Sequence, residues 1–184
     1  MNLDNIYIKK IHNQGSNLNI MKYYQLRKLI EKLIKYDKNR DCFADIDFSY
    51  LIDKTIGYYN LYVAKKELSL VAGLLIGKPY PDKTIMSIAY VVANKYRNMG
   101  IGTELLGRAI NTCFAEFECL SINLSASIDN IFSRKMIESF DFELISDDEL
   151  KKRNGCLVKQ AKYSLDYNQY IKKYDRFKQY PKLS

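Results

Sequence analysis

The spacing of apolar residues changes period several times along the chain, and each change marks an expected element. In residues 5–11, Ile6 and Ile8 alternate with polar positions, which predicts a half-buried strand. Between residues 20 and 36, Leu26, Leu29, Ile30, Leu33 and Ile34 recur three and four apart, with Lys28, Glu31, Lys32 and Lys35 on the other side. That spacing predicts a helix with one buried stripe. Residues 43–52 are less regular and predict a second short helix. The period then shortens: 60–64 reads as a strand, 65–67 as a turn and 68–77 as the antiparallel partner. Pro79 and Pro81 place 78–82 in a loop, since proline cannot donate to a central ladder. Residues 85–92 are almost continuously apolar, which predicts a strand buried on both faces.

Residues 94–102 form a polar loop with two glycines. Leu105, Leu106, Ala109, Ile110, Cys113, Phe114 and Phe117 then mark one face of a helix over 103–117. A strand is expected at 119–125, a short helix at 129–140 with Asp129 as its N-cap, a strand at 142–145 and a last strand at 156–165. Asp147, Asp148 and Glu149 open an acidic excursion between those two strands. The resulting order predicts a single mixed α/β (α+β) domain over 1–165, mostly antiparallel, with one parallel strand–helix–strand unit. Residues 166–184 are expected as a basic, tyrosine-rich helix or tail. Tyr167, Tyr170, Ile171, Tyr174 and Phe177 share one face there, for packing on the domain or across a homodimer.

Composition narrows the picture. The chain has 184 residues and 47% apolar content, enough for one domain with its own core. No apolar run approaches the roughly 20 residues that span a bilayer. The opening residues lack the long apolar stretch of a signal peptide, so a cytoplasmic protein with no membrane partner is expected. Four cysteines without a C-x-x-C pair, and a single histidine, His12, in an early loop, argue against a zinc site; no metal is expected. Cys113 and Cys119 fit as small buried hydrophobes. The net charge of +8 is uneven: 1–40 carries nine Lys/Arg against three Asp/Glu, and 166–184 carries five against two, leaving the middle near neutral. Such ends suit either solvated surface or an RNA partner.

The stretch with the most chemical content runs from Ile88 to Leu106. An apolar strand enters a turn bearing Gly100 and Gly102 and passes directly into an amphipathic helix. The first turn of a helix leaves backbone N–H groups without partners, and the helix dipole adds positive potential there. Glycines let a phosphate approach the backbone, and Arg97 adds a cation, so the arrangement suits a pyrophosphate. A nucleotide P-loop and a dinucleotide fingerprint both fail on spacing: no Lys-Ser or Lys-Thr follows, and the residue three after Gly102 is Leu105.

Arg97-x-x-Gly100-x-Gly102, within Val92-x-x-x-Tyr96-Arg97-x-x-Gly100-Ile101-Gly102-x-x-Leu105-Leu106, resembles the acyl-CoA motif of the GNAT superfamily of N-acetyltransferases. Asn130, Ser133, Met136 and Phe142 match a second phrase of that family. Two positions depart from it: Asp141 stands where the family usually has glycine, and Ile137 where many members carry a tyrosine that protonates the leaving thiolate. The resemblance implies a GNAT-like fold and acetyl-CoA as co-substrate. It implies contacts from Val91, Val92, Arg97, Asn98, Met99, Gly100, Ile101, Gly102, Thr103, Asn130 and Ser133. It also implies direct acetyl transfer to a small-molecule or protein amine, with a backbone N–H near Val92 facing the developing oxyanion. Residues 84–92 contain no Asp or Glu, so Tyr90 is the candidate for proton transfer. Two other readings follow from the departures and the basic ends: a CoA-binding module without turnover, and an enzyme that acetylates aminoacyl-tRNA.

Overall fold

The computed structural model describes residues 6–13, 28, 57–66, 69–79, 84–153 and 156–183. Among the described residues seven strands form one sheet: β1 (Ile6–Asn13), β2 (Gly57–Lys66), β3 (Ser69–Pro79), β4 (Ile85–Val92), β5 (Ser121–Ser127), β6 (Glu143–Arg153) and β7 (Cys156–Asp166). Their spatial order is β1-β2-β3-β4-β5-β7-β6. Among the described helices, α1 (Ile101–Glu116) links β4 to β5 and α2 (Ile131–Ser139) follows β5; α3 (Tyr167–Lys172) and α4 (Tyr174–Phe177) close the chain.

Every neighbouring pair is antiparallel except β4 with β5. That parallel pair is short, with Ile85, Met86 and Ser87 opposite Ser121, Ile122 and Asn123. Beyond it, β4 stays on β3 as far as Val92, while β5 stays on β7 as far as Ser127. The two strands therefore part, and an opening runs up the middle of the sheet.

One face of the sheet carries the main core. Leu74, Ile76, Met86, Ile88, Ile122, Leu124, Ala126, Tyr163 and Leu165 bury against Leu106, Ala109, Ile110 and Cys113 of α1, and against Ile137 and Phe140 at α2. Each such aliphatic side chain stabilises the fold by about 1.5–3 kcal/mol when fully buried. The apolar stripe expected on the second half of the chain is thus the stripe that α1 presents. Cys113 and Cys119 are buried, as expected.

Several boundaries differ from the sequence reading. α1 begins at Ile101, two residues early, because Gly100 takes a left-handed conformation and starts the helix itself. The N-cap of α2 is Asn130, not Asp129: its side chain accepts from Ser133 N at 3.1 Å. β3 includes Pro79, which is tolerated because β4 pairs with β3 only as far as Gly77. The acidic run from Asp147 lies within β6, absorbed by register shifts between Leu144 and Ser146 and between Ser146 and Glu149. His12 sits in β1 opposite Leu61, not in a loop. The C-terminal helix is broken at Lys173 into α3 and α4. The helices expected at 20–36 and 43–52 lie outside the described residues, Lys28 excepted.

Candidate active site

The link from β4 to α1 is a single 3₁₀ turn, Asn94–Tyr96, followed by Asn98 and Gly100 in left-handed conformations, with φ of 59° and 79°. Gly100 is the N-cap of α1, and no side chain caps it. The other long helix ends are treated differently: α2 has Asn130, and α3 has a capping box built by Asp166 and Gln169. The backbone N–H groups of Ile101, Gly102 and Thr103 therefore start α1 without a side-chain acceptor at its cap. A Cβ placed on Gly100 would meet nothing within 4 Å, so the approach to these groups is open. The two glycines serve different ends. A Cβ on Gly102 would lie 3.3 Å from Met136 Sδ and 3.6 Å from Val92 Cγ2, so this glycine lets α1 close on α2 and β4.

The direction of the β4 backbone follows from one hydrogen bond. Ala93 N donates to Val71 O at 2.8 Å, which makes that pair a hydrogen-bonded one. Alternation along an antiparallel ladder then turns the N–H and C=O of Val92, Tyr90 and Ile88 away from β3, toward the β5 side. That is the side on which the pairing with β5 has ended. At the top of the strand Arg97 Nε donates to Val92 O at 3.2 Å, which anchors the guanidinium where β4 leaves the sheet. Lower down, Tyr90 Oη and Ser133 Oγ lie 2.7 Å apart, a hydrogen bond from β4 to the first turn of α2.

The residues singled out in the sequence thus fall into two groups around one opening. Val92, Arg97, Asn98, Met99, Gly100, Ile101, Gly102 and Thr103 line the passage from β4 into α1, with Asn98 and Met99 exposed. Tyr90, Ser133 and Asn130 form the second group, joined by hydrogen bonds. Val91 is buried on the opposite side of β4 from Tyr90 and Val92. Ile137 is 1% exposed and sits in the core, so a tyrosine's usual place on α2 is taken by packing. His12 is three strands away from β4. Asp141 has a φ of 65°, the left-handed conformation expected of a residue standing in for glycine.

Two supporting features were not anticipated. Arg134 Nε donates to Tyr163 Oη at 2.9 Å, and that hydroxyl donates to Glu138 Oε1 at 2.8 Å, tying α2 to β7. Burial pushes the Tyr163 phenol up, which keeps it a donor. The i, i+4 spacing of Arg134 and Glu138 was visible, but nothing local pointed to a tyrosine on a strand far along the chain. The second feature is the tail. Tyr180 packs on Gly107 of α1, where a Cβ would come within 2.5 Å of its ring. Asn111 accepts from Tyr170 Oη and donates to Tyr180 O, both at 2.7 Å. Leu183 N donates to Thr112 Oγ1 at 2.9 Å. Asn111 and Thr112, two polar side chains of α1, are thus the seat of the C-terminal segment, which packs on the domain as one of its two expected dispositions.

A parted parallel strand pair beside an uncapped, glycine-led helix is the architecture of an acyl-CoA-using transferase. The profile of the acetyltransferase (GNAT) family matches residues 23–142, and the chain belongs to that family of acetyltransferases. Solved structures with the same fold include an IAA acetyltransferase from Bacillus cereus ATCC 14579, 16% identical, covering 88% of this chain and 99% of the other at a TM-score of 0.58. The yncA acetyltransferase from Salmonella typhimurium, solved with its cofactor acetyl-CoA, is 12% identical over 88% of this chain and 94% of the other, at 0.61. A dodecameric spermidine N-acetyltransferase from Vibrio cholerae is 13% identical over 93% and 96%, at 0.63. No curated protein sequence matches the chain. Among the described residues no helix is long and apolar enough to cross a membrane.

Proposed function

We propose that the chain transfers an acetyl group from acetyl-CoA to an amine, small or protein-borne, in the cytoplasm, and that the opening between β4 and β5 is where transfer occurs. One observation carries this: α1 starts on a side-chain-free cap at the mouth of that opening, so backbone donors and the helix dipole face an open approach. When bound, acetyl-CoA supplies the acetyl group as an activated thioester. The N–H groups of Ile101, Gly102 and Thr103 hold its pyrophosphate, with Gly100 leaving room and Arg97, Asn98 and Met99 forming the adjoining rim. Val92 offers a strand edge to the pantetheine arm, whereas the backbone groups of Val91 are turned to β3, and Asn130 and Ser133 border the arm from α2. Val92 N–H, turned toward the opening, faces the negative charge that develops during transfer.

Tyr90 is assigned the proton transfer. Its hydroxyl reaches Ser133 on the first turn of α2, one helical turn before Ile137, so β4 supplies a phenol where α2 lacks one. The test is thiol release from acetyl-CoA across a panel of amines, comparing the parent with Tyr90→Phe. Turnover by the parent and a loss of about 100-fold in kcat in the variant support the assignment.

The buried Ile137 favours a second reading, a module that binds acetyl-CoA without turnover. Acetyl-CoA binding with no thiol release for any amine would select it. The reading of an enzyme acting on aminoacyl-tRNA draws less support from the tail, where Lys173 and Arg176 pair with Asp141, and Lys178 with Asp175.

A further inference from the structure

Among the described residues, all four α-helices bury their apolar side chains in one core, on the face of the sheet that carries Met86, Ile88 and Tyr90. The start of α1, and Asn130 and Ser133 at the start of α2, stand on that face too. A thioester held by these groups enters the β4–β5 opening from the helix side. The helices fill that side, so an amine reaches the thioester from the other face of the sheet.

Register fixes what that other face offers. Ile122, Leu124 and Ala126 of β5 and Ala161, Tyr163 and Leu165 of β7 lie in the core, so Ser125, Ser127, Gln160 and Lys162 point the opposite way. β5 and β7 stay in unbroken register along the opening, with Ser125 opposite Lys162 and Ser127 opposite Gln160. Ser127 and Gln160 are buried, whereas Ser125 is exposed and Lys162 partly so. Across the opening, β4 presents only Ala89 and Val91 on this face. Lys162 thus stands one strand back from the opening, about 5 Å across the ladder from Ser125. No ion pair engages it among the described residues. Its neighbour on β6 is Ser146. On this face of β4, β5 and β7 the other charged residue is Asp166, at the far end of the ladder from the opening, where it caps α3.

We propose that Lys162 selects the acceptor: the amine that this chain acetylates also carries an anionic group, a carboxylate or a phosphate, which Lys162 Nζ holds beside the opening with Ser125 Oγ as a second donor. The proposal rests on the reading of the opening as the acetyl-CoA site. Hydrogen bonds between an ammonium and an anion are stronger than neutral ones, and the alanine and valine across the opening offer no competing charge. A diamine would instead set its second ammonium beside Lys162, where like charges repel.

The test compares amines that differ in one group: γ-aminobutyrate against butylamine, and phosphoethanolamine against ethanolamine, with putrescine as the dication. Thiol release from acetyl-CoA by the full-length chain gives kcat/KM for each. Calorimetric titration of each amine into the CoA-loaded chain reads the same preference without turnover. The parent is expected to prefer the anionic member at least about tenfold in one pair or both. A larger ratio in the first pair identifies a carboxylate, and in the second a phosphate. Lys162→Met keeps the apolar stem without the charge. It is expected to lose the preference while binding acetyl-CoA as tightly as the parent, and Lys162→Arg is expected to retain it. A parent that does not bind acetyl-CoA would remove the site on which the proposal stands. With acetyl-CoA bound, equal or absent binding of the anionic amines, a preference for putrescine, or a preference unchanged in Lys162→Met would overturn the role of Lys162 alone.

Discussion

Gly100 and Gly102 stand two residues apart and answer to different constraints. Gly100 is left-handed with open space where a side chain would go, whereas Gly102 is packed against Met136 and Val92. Gly100→Asp places a carboxylate over the first N–H groups of α1. The left-handed conformation costs such a residue about 1 kcal/mol, and a carboxylate at a helix N-terminus returns about half of that. The melting temperature is therefore expected to stay nearly constant. Affinity for acetyl-CoA is expected to fall at least about tenfold, because the new charge faces a pyrophosphate at close range. Gly107 shows the opposite case. Alanine is the better helix former by about 1 kcal/mol, but its Cβ would sit 2.5 Å from the Tyr180 ring. Overpacking of that kind costs about 1–3 kcal/mol, so Gly107→Ala is expected to lower the melting temperature, as calorimetry would show.

At the scale of elements, the second half of the chain was the more legible. The strand at 85–92 was placed to the residue, and the helix after it to within two, because a continuous apolar run and a regular stripe are the strongest local signals. β6 was read short because its outer half is a block of acids followed by a block of bases, with no alternation of apolar and polar positions to mark a strand. The grouping of Tyr90 with Ser133 was not legible: each was named for its own reason, and only the parting of β4 from β5 brings them within 2.7 Å. The tail shows the same limit. Its basic and aromatic pattern was plain, but its seat depends on Asn111 and Thr112, polar residues outside the apolar stripe of α1 that Tyr170, Tyr180 and Leu183 meet. Asn111→Ala removes the acceptor of a buried tyrosine and is expected to cost about 1–3 kcal/mol, measured by chemical denaturation.

For the whole molecule, two buried tyrosines set the alkaline limit. Tyr62 and Tyr170 are both pushed up to about 12, in each case mainly by burial. Each binds its proton more tightly folded than unfolded, where a phenol titrates near 10. Their contribution is therefore fully present below about pH 10 and is lost as the pH climbs from there toward about 12. Stability is expected to fall across that window, and Tyr170→Phe is expected to flatten the fall, which denaturation at stepped pH would show. Charge acts at the same scale: the basic ends outweigh a slightly acidic middle to give the net +8, and much of the C-terminal share is tied to Asp141 and Asp175. The most direct measurement is calorimetric titration of the parent protein and of Gly100→Asp with acetyl-CoA. Saturable binding by the parent, weakened at least about tenfold in the equally stable variant, is the predicted result. No binding by the parent, or equal binding by the two, would contradict a co-substrate site at the start of α1.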